Sequence, residues 1–233
     1  MILLGVIANT IAIIIGALLG QVFTNINQSM KETIMKAMGI AIVVLGLGMA
    51  FESHSFIIVL FSLAIGAVIG EALKLEQRLE QLGKWIEVKA GKRLKGNIAR
   101  AFVTTTLIYS IGAMSVVGAL DSGLRQDHNV LYTKSMLDGF MAILFSSTLG
   151  IGVIFSAIPV FLYQGAIAFG ATFINRVFPQ ALIDQVVIDI TATGGILIIA
   201  IALNLLELTK IKVGNLLPAL LVATVLSGVF YLY

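Results

Sequence analysis

The segment FIIVLFSLAIGAVIG, Phe56 to Gly70, carries no charge. Comparable apolar runs recur along the chain, and each needs about 20 residues to cross about 30 Å of hydrocarbon. Only 12% of the 233 residues are charged while 59% are hydrophobic, and the mean hydropathy is +1.05. A soluble domain carries roughly 25% charged residues. The sequence therefore predicts an all-α fold, a polytopic transmembrane helical bundle forming a single membrane domain over residues 1–233.

About eight spans are expected, or seven if one segment is re-entrant. They fall near Ile2–Phe23, Ile34–Phe51, Phe56–Leu73, Ala101–Leu120, Leu131–Phe155, Pro159–Ile174, Val186–Leu206 and Leu216–Tyr233. The first lacks a basic leader and a small-residue cleavage site, so it reads as a retained helix. The absence of cysteine removes disulfides, thiol catalysis and thiolate metal sites.

Of the 15 Lys and Arg residues, those at 74, 78, 84, 89, 92, 93, 95 and 100 crowd one loop. Basic loops stay on the cytoplasmic side. Residues 74–100 are thus expected inside, in a bacterial cytoplasmic (inner) membrane, with both termini outside. Leu75, Leu79, Leu82 and Ile86 recur at helical spacing there, beside the single tryptophan, Trp85. This spacing predicts an amphipathic interfacial helix, either a topology anchor or a contact for lipid or a partner. Such a local basic cluster is no nucleic-acid footprint, and no nucleic-acid partner is expected.

Gly39–Met49 (GIAIVVLGLGM) aligns with Gly195–Leu205 (GILIIAIALNL), and Gly66–Gly70 with Ala223–Ser227. These matches suggest an inverted repeat of spans 1–3 (residues 1–73) and 6–8 (residues 156–233), flanking the basic segment 74–100 and a central helix pair, 101–155. Inverted repeats build many secondary transporters, with the solute site near the midplane. Gly16-xxx-Gly20 and Gly66-xxx-Gly70 are close-packing motifs, within the chain or between subunits of a homodimer.

The polar residues inside apolar spans are the candidate site. Asp138 is expected about two turns inside its helix, and an ionised carboxylate there must be paired, protonated or beside water. Lys134, one turn earlier, is its natural counter-ion. Asp189, followed by Thr191 and Thr193, offers oxygen ligands. In SIGAMSVVGALDSGL, Ser110 to Leu124, the small residues predict a broken or re-entrant helix near 110–123, with Ser115 and Asp121 lining it. Gln164, Asn9 and Asn204 complete the solute- or ion-binding set, or serve as interhelical glue.

His54 and His128 have no second histidine at ligand spacing, and Gly91–Gly96 lacks the pattern of a phosphate loop. No nucleophile elbow or convergent acid–base set appears, so neither an enzyme, nor a resident metal, nor a cofactor is expected. SIGAMSVVGALDSGL, then YTKSMLDGF and SAIPVFLYQG, together resemble the YdfK/YqgA-like family of uncharacterised bacterial inner-membrane proteins. The resemblance implies a multi-span membrane protein and supplies no catalytic or ligand residues. Where family members show Gly after Leu-Arg, this chain has Gln126, which questions a tight turn there. The expectation is a transporter or channel for an ion or small polar solute, coupled to protons or cations through its carboxylates. The alternative is a non-transporting scaffold or regulator acting through the basic helix.

Overall fold

A computed structural model of the protein describes residues 1–23, 27–90 and 98–231. Lys92, Arg93 and Lys95 of the basic loop, the Gly91–Gly96 segment, the side chain of Ile86 and the end of the last expected span at Tyr233 lie outside the described residues. Every regular element among the described residues is helical. In order they are α1 (Leu4–Val22), α2 (Gln28–Ala50), α3 (Phe56–Leu73), α4 (Leu75–Ala90), α5 (Ile98–Ser110), α6 (Ala113–Leu124), α7 (Asn129–Leu149), α8 (Ala157–Val177), α9 (Gln180–Leu205) and α10 (Pro218–Tyr231). Short 3-10 turns at Ile151–Ser156 and Val213–Leu216 lead into α8 and α10.

Among the described residues, six helices are long and apolar enough to cross a membrane: α1, α2, α3, the continuous Ile151–Val177, α9 and Val213–Tyr231. The pair α5 and α6, bent by 62°, makes a seventh if taken as one span. Helix α7 has the length at 21 residues, but Lys134, Asp138 and five Ser/Thr residues dilute its apolar content. A buried stripe, Leu131, Lys134, Ser135, Asp138, Ala142 and Phe145, runs along it at helical spacing, and of the eight expected spans six, or seven with the bent pair, qualify among the described residues. The expected span to Phe155 is too long. Gly150, at φ +98°, ends α7 at Leu149, and Ile151–Ser156 belong with α8.

The chain divides into two compact units, neither of which follows the proposed repeat boundaries. The first comprises 1–34, 79–110 and 114–173; the second comprises 35–78, 111–113 and 174–233. Helices from both proposed copies therefore enter each unit. In the first, α1 and α7 run parallel: Gly5 stands against Leu131, Gly16 against the Gly139 carbonyl and Gly20 against the Ile143 carbonyl. Around them α6 and α8 close a small core of Val6, Ala119, Leu131 and Ala168. In the second unit α2 lies antiparallel to α9, with Gly39 facing Leu206 and Gly46 facing Gly195. Helix α10 lies antiparallel to α3, with Gly66 facing Ala219 and Gly70 facing Asn215.

Both Gly-xxx-Gly motifs are thus consumed inside the chain, where the missing side chains let backbones touch. A homodimer would have to use other faces. Many apolar residues outside those faces, such as Ile15, Leu18, Val44, Val68 and Leu221, are exposed; in a bilayer they meet lipid at no cost.

The expected amphipathic helix forms as α4, entered through Lys74 in the left-handed conformation at φ +52°. Leu75 and Leu79 are half-buried, while Leu82, Trp85 and Val88 are exposed, and Lys89 lies 5.6 Å from the Trp85 ring centroid. At the α3–α4 junction Asn215 accepts from the Glu76 backbone N–H at 2.8 Å and donates to Glu71. Glu76 in turn accepts from the Gly214 N–H at 2.6 Å, and Lys212 pairs with Glu71 at 3.0 Å. This junction was not legible in the sequence, because its partners lie more than 130 positions apart.

Candidate functional site

Five of the eight singled-out side chains meet in the first unit, supplied by four helices. On α7, Lys134 Nζ lies 2.9 Å from each carboxylate oxygen of Asp138. Asn9 of α1 donates from Nδ2 to Asp138 Oδ2 at 3.1 Å and to Gln164 Oε1 at 3.3 Å. Gln164 of α8 donates to Ser115 Oγ at 3.2 Å, and Ser115 of α6 donates to the Tyr109 carbonyl at 2.9 Å. That carbonyl belongs to the last turn of α5, where the chain breaks. The result is one polar chain from an ion pair, through two amides and a hydroxyl, to a freed backbone oxygen.

The packing explains the convergence. Four of the five members sit about one turn from a residue of the small apolar core, Asn9 from Val6, Lys134 from Leu131, Gln164 from Ala168 and Ser115 from Ala119, and Asp138 lies one turn beyond Lys134. The core fixes four helices, and their next turns then face one another. Gly5 and Gly118 flank Leu131, and side chains there would press on it, at 2.9 Å from their Cβ positions. Gly112 provides the break itself, with φ +125°, a conformation open to glycine and costly for other residues.

The cluster is shielded. Lys134 and Asp138 retain 7% and 6% of their surface, and Asn9 and Gln164 none. Asp138 lies nine positions after Asn129, on the order of 14 Å along α7, so an uncompensated charge there would cost several kcal/mol. Lys134 compensates it, and the pair is neutral. Two buried polar atoms remain without partners, Asn9 Oδ1 and the Tyr109 hydroxyl, each leaving a cost of about 1–3 kcal/mol unless something binds.

The other three sequence candidates stand apart. Asp121 is at the end of α6, in an ion pair at 3.3 Å with the well-exposed Arg125, the geometry of a surface charge, and it does not line the break. Asn204, read as a polar group within a span, instead organises the turn after α9: it donates to the Ile211 carbonyl at 2.7 Å and accepts from Ile211 N–H and Thr209. Asp189 lies in the second unit, fully buried, with Gln185 donating to Oδ2 at 3.1 Å. Its Oδ1 has no partner, and no Lys or Arg among the described residues pairs with it.

Tyr109 was missed by sequence reasoning, since a tyrosine beside a glycine break has no distinguishing pattern. His128 bonds Ser122 at 2.7 Å and meets Tyr132 edge-on, its ring engaged in packing the α6–α7 turn. At Gln126 the tight turn survives without glycine: φ is +54°, a left-handed conformation that costs a side-chain-bearing residue roughly 1–2 kcal/mol. No cluster of three metal-ligating side chains occurs among the described residues.

The family model described as "Protein of unknown function (DUF554)" matches residues 4–228. The chain is 34% identical over 234 residues to "Uncharacterized membrane protein YdfK" of Bacillus subtilis, covering 98% of this chain and 97% of that one. It is 26% identical to "Uncharacterized protein YqgA" of Escherichia coli over 230 residues, 97% and 96% of the two chains. No solved structure matches.

Proposed function

The chain belongs to the DUF554 family of membrane proteins, and from that premise we propose that it is a transporter or channel for an ion or small polar solute. The observation that carries the reading is the polar chain Lys134–Asp138–Asn9–Gln164–Ser115, built from α1, α7, α8 and the second half of a broken helix. A helix break at membrane depth is tolerated where protein or a water-filled cavity satisfies the freed backbone. Here Ser115 takes up the Tyr109 carbonyl, while Asn9 Oδ1 and the Tyr109 hydroxyl stay open. An acceptor and a hydroxyl beside a neutral ion pair suit a small solute that both donates and accepts hydrogen bonds.

In this reading Gln164 and Asn9 orient the solute, Ser115 lines the break, and Lys134 tunes Asp138. Antiparallel packing of α2 on α9 and of α3 on α10 is the relation that an inverted repeat produces. The basic loop supports a reading with 74–100 on the cytoplasmic side of an inner membrane and both termini outside. No bond-making chemistry is assigned, and a dimer, if formed, uses lipid-facing surfaces.

A second reading has its own observation. Exposed Leu82, Trp85 and Val88 on α4, among basic residues, suit a regulator held at anionic headgroups. That reading requires every intramembrane carboxylate to be paired. Asp138 meets the requirement, whereas Asp189 has no cationic partner among the described residues.

The test is flux into proteoliposomes across a panel of ions and small polar solutes. Transport by the wild type, lost in folded Asp138→Asn, supports the reading. Flux untouched by the change removes the assigned site, and no flux across the panel favours the regulator.

A further inference from the structure

The two intramembrane carboxylates differ in charge balance, and the difference divides their roles. Asp189 lies nine positions along α9 from Gln180, about 14 Å from the helix start, and is fully buried. Asp138 has an internal cation at 2.9 Å. Asp189 has only an amide at 3.1 Å on one oxygen, and its other oxygen is open.

A second oddity lies on the same face. Thr10, Thr33, Thr105, Thr133, Thr148 and Thr224 each send their hydroxyl back to the carbonyl four residues earlier, the usual way a helical threonine satisfies itself. Thr106, Thr191 and Thr193 do not, and of these Thr193, fully buried and one turn beyond Asp189, shares the carboxylate's face of α9. Half-exposed Gln185, buried Asp189 and buried Thr193 thus follow one another along one face of α9, from accessible to sealed, and the two buried ones each hold an oxygen without a partner.

We propose that Asp189 and Thr193 hold one alkali cation, with the Gln185 amide N–H fixing the other carboxylate oxygen. One carboxylate balances one positive charge, so a divalent ion would leave a net charge in hydrocarbon. Carboxylate and hydroxyl oxygens are hard ligands, suited to such an ion. The ion supplies what Lys134 supplies to Asp138. As a coupling site for solute movement the assignment rests on the transport reading, whereas the binding itself does not. The solute belongs to the first unit's polar chain and the ion to the second unit's carboxylate.

The experiment is equilibrium binding of sodium, then potassium, to the purified full-length protein in nanodiscs, with choline as the inert control and thermal stability as a second readout. Saturable uptake of about one ion per chain is expected, with a rise in unfolding temperature. Asp189→Asn abolishes it, Asp184→Asn at an exposed carboxylate of the same helix keeps it, and Thr193→Val weakens it by about tenfold, the equivalent of one lost ligand contact. Neither ion binding to folded wild type overturns the proposal. Binding retained in Asp189→Asn also overturns it. Should that variant fail to fold, Thr193→Val decides: an unchanged affinity refutes the site. No solute is present, so the result stands apart from the flux assay.

Discussion

Removing either partner of the Lys134–Asp138 pair should unfold the first unit far more readily than removing both. Both side chains are more than nine-tenths buried, and Nζ lies 2.9 Å from each carboxylate oxygen. Lys134→Met strands a carboxylate supported only by Asn9, and Asp138→Leu strands an ammonium; each should cost about 3–5 kcal/mol. The double variant leaves no charge. Replacing a buried pair with apolar residues is commonly neutral or better, and here Asn9 keeps its bond to Gln164 at 3.3 Å, so the residual cost should be about 1 kcal/mol. The cycle therefore predicts a coupling of at least ~3 kcal/mol. Reversible unfolding in bicelles measures it, at low and high salt, with little salt dependence expected for a shielded pair. Single costs below ~1 kcal/mol that simply add would mark the pair as hydrated and refute the shielding inferred from the geometry. The double variant should also be folded and inactive in flux, which separates stability from function.

Three further outcomes follow from the packing and the charge pattern. Gly16→Ala drives a methyl into the Gly139 carbonyl, and Gly70→Ala into that of Asn215; each should destabilise by about 1–3 kcal/mol in the same unfolding assay, whereas Gly48→Ala, which meets nothing within 4 Å, should be tolerated. Asn215→Ala removes the acceptor for the Glu76 N–H and the donor to Glu71, and should cost about 1–2 kcal/mol with faster proteolysis near the α3–α4 junction. In a chain without cysteine, a single cysteine at Glu80 should react with an impermeant maleimide only from the cytoplasmic side in oriented vesicles.

Much of this was legible because oil makes polar residues conspicuous. Asn9, Lys134, Asp138, Gln164 and Ser115 were each visible as polar groups in apolar runs, and the Lys134–Asp138 pair followed from its one-turn spacing. Their meeting was not visible, since it depends on Val6, Ala119, Leu131 and Ala168 bringing four helices together. The break near 110–123 was legible from its glycines and was confirmed as the 62° bend at Gly112. Hydropathy failed where backbone geometry decides. Ile151–Phe155 is as apolar as a span interior, yet the positive φ of Gly150 gives it to the next helix. Asn204 and Asp121 look intramembrane in sequence because apolar residues precede them, but both lie where a helix ends and side chains serve turns or solvent.

The central claim is that the polar chain at the helix break is reached by solute, and hence by water, in at least one state of the protein. Ser115→Cys in this cysteine-free chain tests it directly, since Ser115 is 1% exposed in the described conformation. The account predicts reaction with a small charged methanethiosulfonate from at least one side of the membrane, slowed by the transported solute. A folded variant that resists every hydrophilic reagent from both sides, while reacting with a lipid-soluble one, would contradict it.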